Sequence, residues 1–491
     1  MPPVCLGVLL GGLAACAQIA GIDKTSGQPP DRVSLQIERV SIGATVVRAP
    51  LDLTGLAATY YVPDDTQDDG INRIDAELTT PELDTWSAAI KDGTPPLFYD
   101  LPDEPVPIRR QLELPVRNQY GVFARLEHPS PSLAPTGATL QVKSTLPAAY
   151  AATESFQLYT LGSWTSRGFS GAELPVVGAT TFGPVTFPFS SAASISGRPL
   201  EKITTADAVM FLRYTGSKLT GVMEAAPFEQ TGTDSIMGTM TAVPANQTLT
   251  ATVGPPAAIA ARYAPVRPAV PTIAMNWVLN ASPGVDVANN TGPSLEAGAV
   301  TMASTGMLSV PYGNPFVAKG WRTVFAWATS ASRTYTPAGQ LLPITLYAGL
   351  YQDIEPTAAM VLDLAVGLPE VITVDGKPLS TDGLTITQPV KPVHVTFVSG
   401  ITANTFYQLQ LYELVPNTAN TGLVQQFVVA SSGVKADFTI PAEFLVPGKI
   451  YSLRAVCFQG SFPGIDAGDL RMRTFPMAVG YLDSGVFTVT P

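Results

Sequence analysis

Apolar and polar residues alternate with a period of two along most of this chain. Val33, Leu35 and Ile37 fall on one side of a strand, and Ser34, Gln36 and Glu38 on the other. Such alternation is what a half-buried β-strand requires, because successive side chains point to opposite faces. The pattern recurs at Ala57–Val62, Gln111–Val116, Gly121–Leu126, Phe156–Tyr159, Ala208–Tyr214, Thr248–Val253, Ile273–Leu279, Thr323–Trp327, Ile344–Leu350, Glu370–Val374, Val393–Phe397 and Tyr407–Tyr412. Turn residues cut the runs, as in Asp375-Gly376-Lys377-Pro378. One stretch reads differently. Thr80 can cap a helix, Pro81 and Glu82 suit its first turn, and Leu83, Trp86 and Ile90 share a helical face that Gly93 closes after Lys91. The spacing predicts a helix there. Trp321, Thr323, Phe325 and Trp327 share one strand face; a core-filling role is expected over a sugar-binding platform.

Composition sharpens this into a fold class. Hydrophobic residues are 46 % of the 491, and charged residues only 14 %, against roughly 25 % in an average soluble domain. With 42 Gly and 45 Pro, the chain reads as apolar strands between frequent turns. The expectation is an all-β protein of tandem antiparallel β-sandwich domains, immunoglobulin- or fibronectin III-like, with few short helices. Residues 33–165 are expected to form one sandwich with the short helix, 166–368 one large or two small sandwiches, and 369–491 a last one. The proline-rich stretch Gly254–Pro271 reads as a linker or as a crossover inside one sandwich. No repeat at a fixed period is legible, which argues against a solenoid or propeller. A net charge of −11 argues against nucleic acid as partner.

Two stretches resemble known families. Leu445-Val446-Pro447-Gly448-Lys449-Ile450-Tyr451 resembles the corner before strand F of fibronectin type III domains, in which a tyrosine hydroxyl ties the corner to nearby backbone. On that resemblance Leu445 is core, Pro447-Gly448 turn, and Tyr451 is the corner; Phe397 stands in for the family's strand-B tryptophan. At the other end, the apolar run Val4–Ala15 leads into Leu13-Ala14-Ala15-Cys16, which resembles a bacterial lipobox. The resemblance implies a signal peptide over 1–15, a lipid on Cys16, a flexible tether over 16–32, and a membrane partner reached through Cys16. Ala17 after the cysteine implies an outer-membrane or cell-surface location. No Lys or Arg precedes Lys24, and a plain secretory signal cut between Ala15 and Ala20, giving a secreted or periplasmic protein, stays open.

The search for chemistry returns little. There are two histidines, His128 and His394, neither spaced for zinc. No nucleophile elbow, phosphate loop or dinucleotide fingerprint is present, and Ser432-Gly433-Val434-Lys435 lacks the companion motifs of a serine–lysine enzyme. In Asp64-Asp65-Thr66-Gln67-Asp68-Asp69-Gly70, Asp65 and Asp69 come nearest to metal ligands. The calcium-loop fit is poor, with Ala76 at the closing position, so a solvated acidic loop is expected. Cys457 reads as a buried apolar residue. No catalytic residue and no cofactor is expected. The reading is an exported, lipid-anchored binding, adhesion or structural module, not an enzyme, whose partner is a protein or a glycan. An exported hydrolase, possibly carbohydrate-active, is the alternative; it requires two convergent carboxylates between Val33 and Pro369.

Overall fold

The computed structural model describes residues 32–43, 45–78, 84–89, 97–101, 108–113, 118–125, 132–195, 199–253, 261, 263, 274–283, 292–299, 306–356, 360–362, 366–379, 383–399, 406–460, 463–471 and 474–491. Strand makes up 61 % of the structure, and no helix among the described residues reaches seven residues. The strands assemble into four β-sandwich units.

The first unit contains β1 (Arg32–Ile42), β2 (Val46–Pro50), β3 (Ala58–Pro63), β4 (Ile71–Asp75), β5 (Glu77–Leu78), β6 (Thr85–Ala89), β7 (Leu97–Leu101), β8 (Ile108–Glu113) and β9 (Asn118–Arg125). One sheet runs β2-β1-β6-β5 with β9 parallel to β1; the facing strands run β8-β7-β3-β4. The second unit has β10 (Thr139–Thr145), β11 (Glu154–Leu161), β12 (Thr165–Gly168), β13 (Thr181–Pro188), β14 (Ala193–Ser194), β15 (Ala208–Thr215), β16 (Lys218–Glu224), β17 (Thr233–Thr239) and β18 (Thr241–Ala242). Its sheets are β13-β10-β17 and β14-β12-β11-β15-β16-β18. The third unit has β19 (Gln247–Val253), β20 (Ala274–Ser282), β21 (Ser294–Ala299), β22 (Gly306–Tyr312), β23 (Arg322–Tyr335), β24 (Ile344–Ile354) and β25 (Met360–Leu362), arranged as β22-β19-β25 facing β21-β20-β23-β24. The fourth has β26 (Pro369–Val374), β27 (Lys377–Pro378), β28 (Leu384–Thr387), β29 (Val393–Ser399), β30 (Phe406–Pro416), β31 (Leu423–Gly433), β32 (Asp437–Ile440), β33 (Ile450–Gln459) and β34 (Met477–Thr490). Here β27-β26-β29-β32 faces β34-β33-β30-β31.

The first three units share one wiring. The opening strand of each (β1, β10, β19) pairs antiparallel with a middle strand (β6, β13, β22) and parallel with a late strand (β9, β17, β25). These opening strands start 107 and 108 residues apart. Their inward pairs are all buried: Leu35 and Ile37, Leu140 and Val142, Leu249 and Ala251. A repeat thus exists, carried by strand order and burial rather than by residue identity.

The units are not beads on a string. The β24 edge of the third unit pairs antiparallel with β34 of the fourth, from Ala348↔Leu482 to Asp353↔Met477. The β8 edge of the first pairs parallel with β31 of the fourth, from Val429↔Arg109 to Gly433↔Glu113. One sheet of thirteen strands results, with the fourth unit in its middle. Unpaired strand edges invite non-native pairing, and here each edge blunts another. Gly349 permits the β24–β34 seam, since a Cβ there would stand 2.5 Å from the Tyr481 ring. One continuous core cluster reaches all four units, through Val40, Trp164, Trp327 and Tyr451 among others. Trp164 donates its indole N–H to the Ile42 carbonyl, tying the second unit to the first.

Several expectations need correction. The helix expected over Thr80–Gly93 is absent where the chain is described: Thr85–Ala89 is strand β6, paired with Arg32–Gln36. Trp86 and Ala88 point into the core, and the buried Thr85 and Ser87 take hydrogen bonds from Gln36 (2.8 Å) and Arg32 (2.6 Å). Pairing with β1 outweighs a local helical spacing, a weak prior that tertiary context readily overrides. Thr80–Leu83 and Ile90–Gly93 lie outside the described residues. The boundaries 33–165 and 166–368 also shift, because β10, β11 and β12 pair with β13, β17, β14 and β15 in the second unit. Strands β19 and β20 stand in different sheets; the proline-rich stretch Gly254–Pro271 between them lies outside the described residues apart from 261 and 263. Tyr263 within it is buried and bonds to Thr329. The Tyr451 corner is formed: Val446 N–H donates to its hydroxyl at 2.8 Å, and Leu445 is buried.

Candidate functional site

The sites expected from sequence are dispersed. Cys16 lies outside the described residues, as does His128. Asp65 is exposed in the β3–β4 turn. Asp69 is committed to Arg73, whose guanidinium lies 2.6 Å away and holds that carboxyl below its usual range. Asp64 accepts from the Thr66 backbone (2.9 Å) and hydroxyl (2.6 Å). Arg73 also reaches Glu443 at 2.7 Å, and the Tyr61 hydroxyl donates to Glu443 at 2.6 Å. The acidic loop therefore clips the first unit to the fourth, its charge met by Arg73. Among the described residues no group of three or more metal-capable side chains occurs, and no helix is long and apolar enough to cross a membrane.

The other singled-out residues are structural. Trp321, Phe325 and Trp327 are all buried in the third unit. Phe397 stacks on Phe438 with ring centroids 6.0 Å apart. Cys457 is fully buried, and burial pushes its thiol up to about 12, so it is protonated and unreactive at neutral pH. Ser432 is buried and accepts from Gln408 at 3.0 Å.

The seam between β8 and β31 gathers the most perturbed carboxyl group. Glu113 ends β8 and accepts from Gln111 (2.5 Å) and from the Thr439 backbone N–H (3.3 Å). Ser431 in turn donates to Gln111 at 2.9 Å. Burial pushes the Glu113 carboxyl up to about 8, and the charge of Asp437 adds to the effect; the Thr439 and Gln111 donors oppose it. Asp437 is itself paired with His394 at 2.5 Å. A carboxyl that keeps its proton at neutral pH beside a second carboxylate is a combination acid–base chemistry uses. Asp437 falls beyond the segment in which sequence reasoning placed such a pair.

A cavity of about 230 Å³ opens at the other seam, lined by Gln352, Gln459, Gly460, Thr474, Phe475, Pro476 and Ala478. Register explains its construction. Gln352 lies opposite Ala478, and Ala478 opposite Gln459, so two amides flank one small side chain across β24, β34 and β33. Gly460 is required at the mouth: its φ is +74°, and a Cβ would meet the Pro476 carbonyl at 2.3 Å. The side-chain carbonyl oxygens of Gln352 and Gln459 are buried without a hydrogen-bond partner among the described residues. Buried polar atoms are rarely left so. A second cavity, of about 480 Å³, in the second unit is walled by Leu133–Ala138, Phe189, Ser190 and Leu200. Sequence reasoning missed Gln352 and Gln459; the one available signal was a glutamine at an inward position of an apolar strand.

No protein-family model and no curated protein matches this chain. Among solved structures, the N-terminal four Ig domains of Dscam1 isoform 8.4 align over 94 % of this chain and 99 % of that chain, at 7 % identity and a TM-score of 0.10. A likeness that slight leaves the architecture to rest on strand pairing alone.

Proposed function

We propose that the protein is an exported binding or structural module, lipid-anchored at Cys16 and displayed at the outer membrane or cell surface. The observation that carries this reading is the lipobox-like Leu13-Ala14-Ala15-Cys16 at the end of an apolar run. The fused sheet supports it, since a body braced through two strand seams holds its surfaces in fixed relation. Metabolic labelling with an alkyne fatty acid tests the anchor. Label and membrane retention should both vanish in Cys16→Ser; label that is absent from the parent, or persists in the variant, overturns the lipid. A hydrolase remains the second reading, favoured by Glu113 beside Asp437. Turnover of chromogenic glycosides that disappears in Glu113→Gln would carry it, and an inert parent protein would dismiss it.

A further inference from the structure

We infer that the cavity at the β24–β34–β33 seam is a binding site for a neutral sugar ring, such as one residue of a glycan. The inference deepens the reading as a binding module by naming its ligand class, and it stands whether or not Cys16 carries lipid.

Among the described residues the lining carries no charged side chain. Phosphate, carboxylate and ammonium ligands would each be desolvated there without a counter-charge, which is costly. What the lining offers is two unmet acceptors and an aromatic side. The Gln352 and Gln459 carbonyl oxygens call for hydroxyl or amide donors. Gln352 is 6 % exposed, so its unmet oxygen is a standing cost that a donor would remove. Phe475 is half-buried at the wall and presents apolar surface. A sugar ring combines hydroxyl donors with a C–H face. At about 230 Å³ the cavity is below the roughly 300–1,000 Å³ of sites for drug-sized ligands, which fits one ring and excludes an extended chain buried end to end. Ala478 forms the floor between the two glutamines; a larger residue there would fill the space. Because Gln352 comes from the third unit and Gln459 from the fourth, the site exists only while the seam is closed.

The test uses the full chain and four probes: the methyl glycosides of glucose, galactose, mannose and N-acetylglucosamine, read by saturation-transfer NMR. At least one should bind saturably with a dissociation constant on the order of 1 mM. Gln352→Met and Gln459→Met keep side-chain volume and remove the amide, so melting temperature should hold while affinity drops by about tenfold or more. Saturable binding by none of the four overturns the inference. So does binding that both variants retain, or equal binding of acetate or methylammonium.

Discussion

The two seams that join the fourth unit to its neighbours solve the same problem with different chemistry. Between β24 and β34 the strands run antiparallel, and a buried carboxylate of β34 takes part in the joint. Arg454 grips Asp483 at 2.6 Å and 3.1 Å, and Asp483 also accepts the Tyr347 backbone N–H at 2.9 Å from across the seam. The Arg454 guanidinium lies over the rings of Tyr412 and Tyr481, at 5.5 Å and 5.3 Å. Between β31 and β8 the strands run parallel, and a carboxyl that prefers its proton sits at the end of the pairing. At one seam an ion pair within the fourth unit backs a carboxylate that reaches across to Tyr347; the other carries a group whose charge state depends on pH. Joining sheets edge to edge fixes the backbone but leaves the side chains free to make a joint robust or responsive.

Removing one partner of the ion pair should separate the two behaviours most strongly. Asp483→Ala leaves Arg454 without its counter-ion and strips an acceptor from Tyr347; a loss of about 3–5 kcal/mol is expected on denaturant unfolding. Limited proteolysis should then release fragments containing the third unit before the parent protein is cut. An unchanged midpoint would show that Asp483, with its bond to Tyr347, does not hold this seam.

The pH response of the parallel seam comes next. Native Glu113 keeps its proton up to about pH 8, whereas the unfolded chain gives it up near 4.5. Folding therefore takes up a proton between these values. The contribution is fully present below pH 4.5 and is lost as pH rises to about 8, amounting to a few kcal/mol on the order of the linkage relation. The Asp437 charge acts on the same carboxyl and adds to the loss, and Asp437 is itself paired with His394. Thermal melts of Glu113→Gln should be flatter over that window and higher than the parent at its alkaline end. A parent slope that survives in the variant would assign the response to other groups.

The smallest effect belongs to the surface clip beside that seam. Arg73→Ala breaks the contacts to Asp69 and Glu443, both partly exposed, and should cost about 0–1 kcal/mol and less at high salt. Differential scanning fluorimetry across a salt series checks this. A loss above about 2 kcal/mol would make the clip, rather than the strand pairing, the main tie between the first and fourth units.

How much of this was legible follows from how far apart the deciding residues are. The strands were readable because alternation is local: Val33, Leu35 and Ile37 declare their face within five residues. The Tyr451 corner was readable because its hydroxyl bonds to Val446, five positions earlier. The stretch around Trp86 was misread because a helix and a strand can both bury that ring, and only β1 decides between them. The three-fold wiring was invisible because Leu35, Leu140 and Leu249 share a burial role that any apolar residue could fill. Gln352 and Gln459 meet only through Ala478, and Glu113 meets Asp437 only after β8 has found β31. No window along the chain contains either pairing.

The central place of the fourth unit has a consequence in time. It is made after the other three, yet it supplies the neighbours of β8 and β24. Until it arrives, the growing chain carries two open strand edges on half-built sheets, the kind of surface on which chains misassociate. Closing them means joining segments some 320 residues apart for β8 and β31, and contacts of such long separation form slowly. The first three units are thus finished by a unit made after them, and a chain stopped short of it would be left with sticky flanks rather than three finished sandwiches.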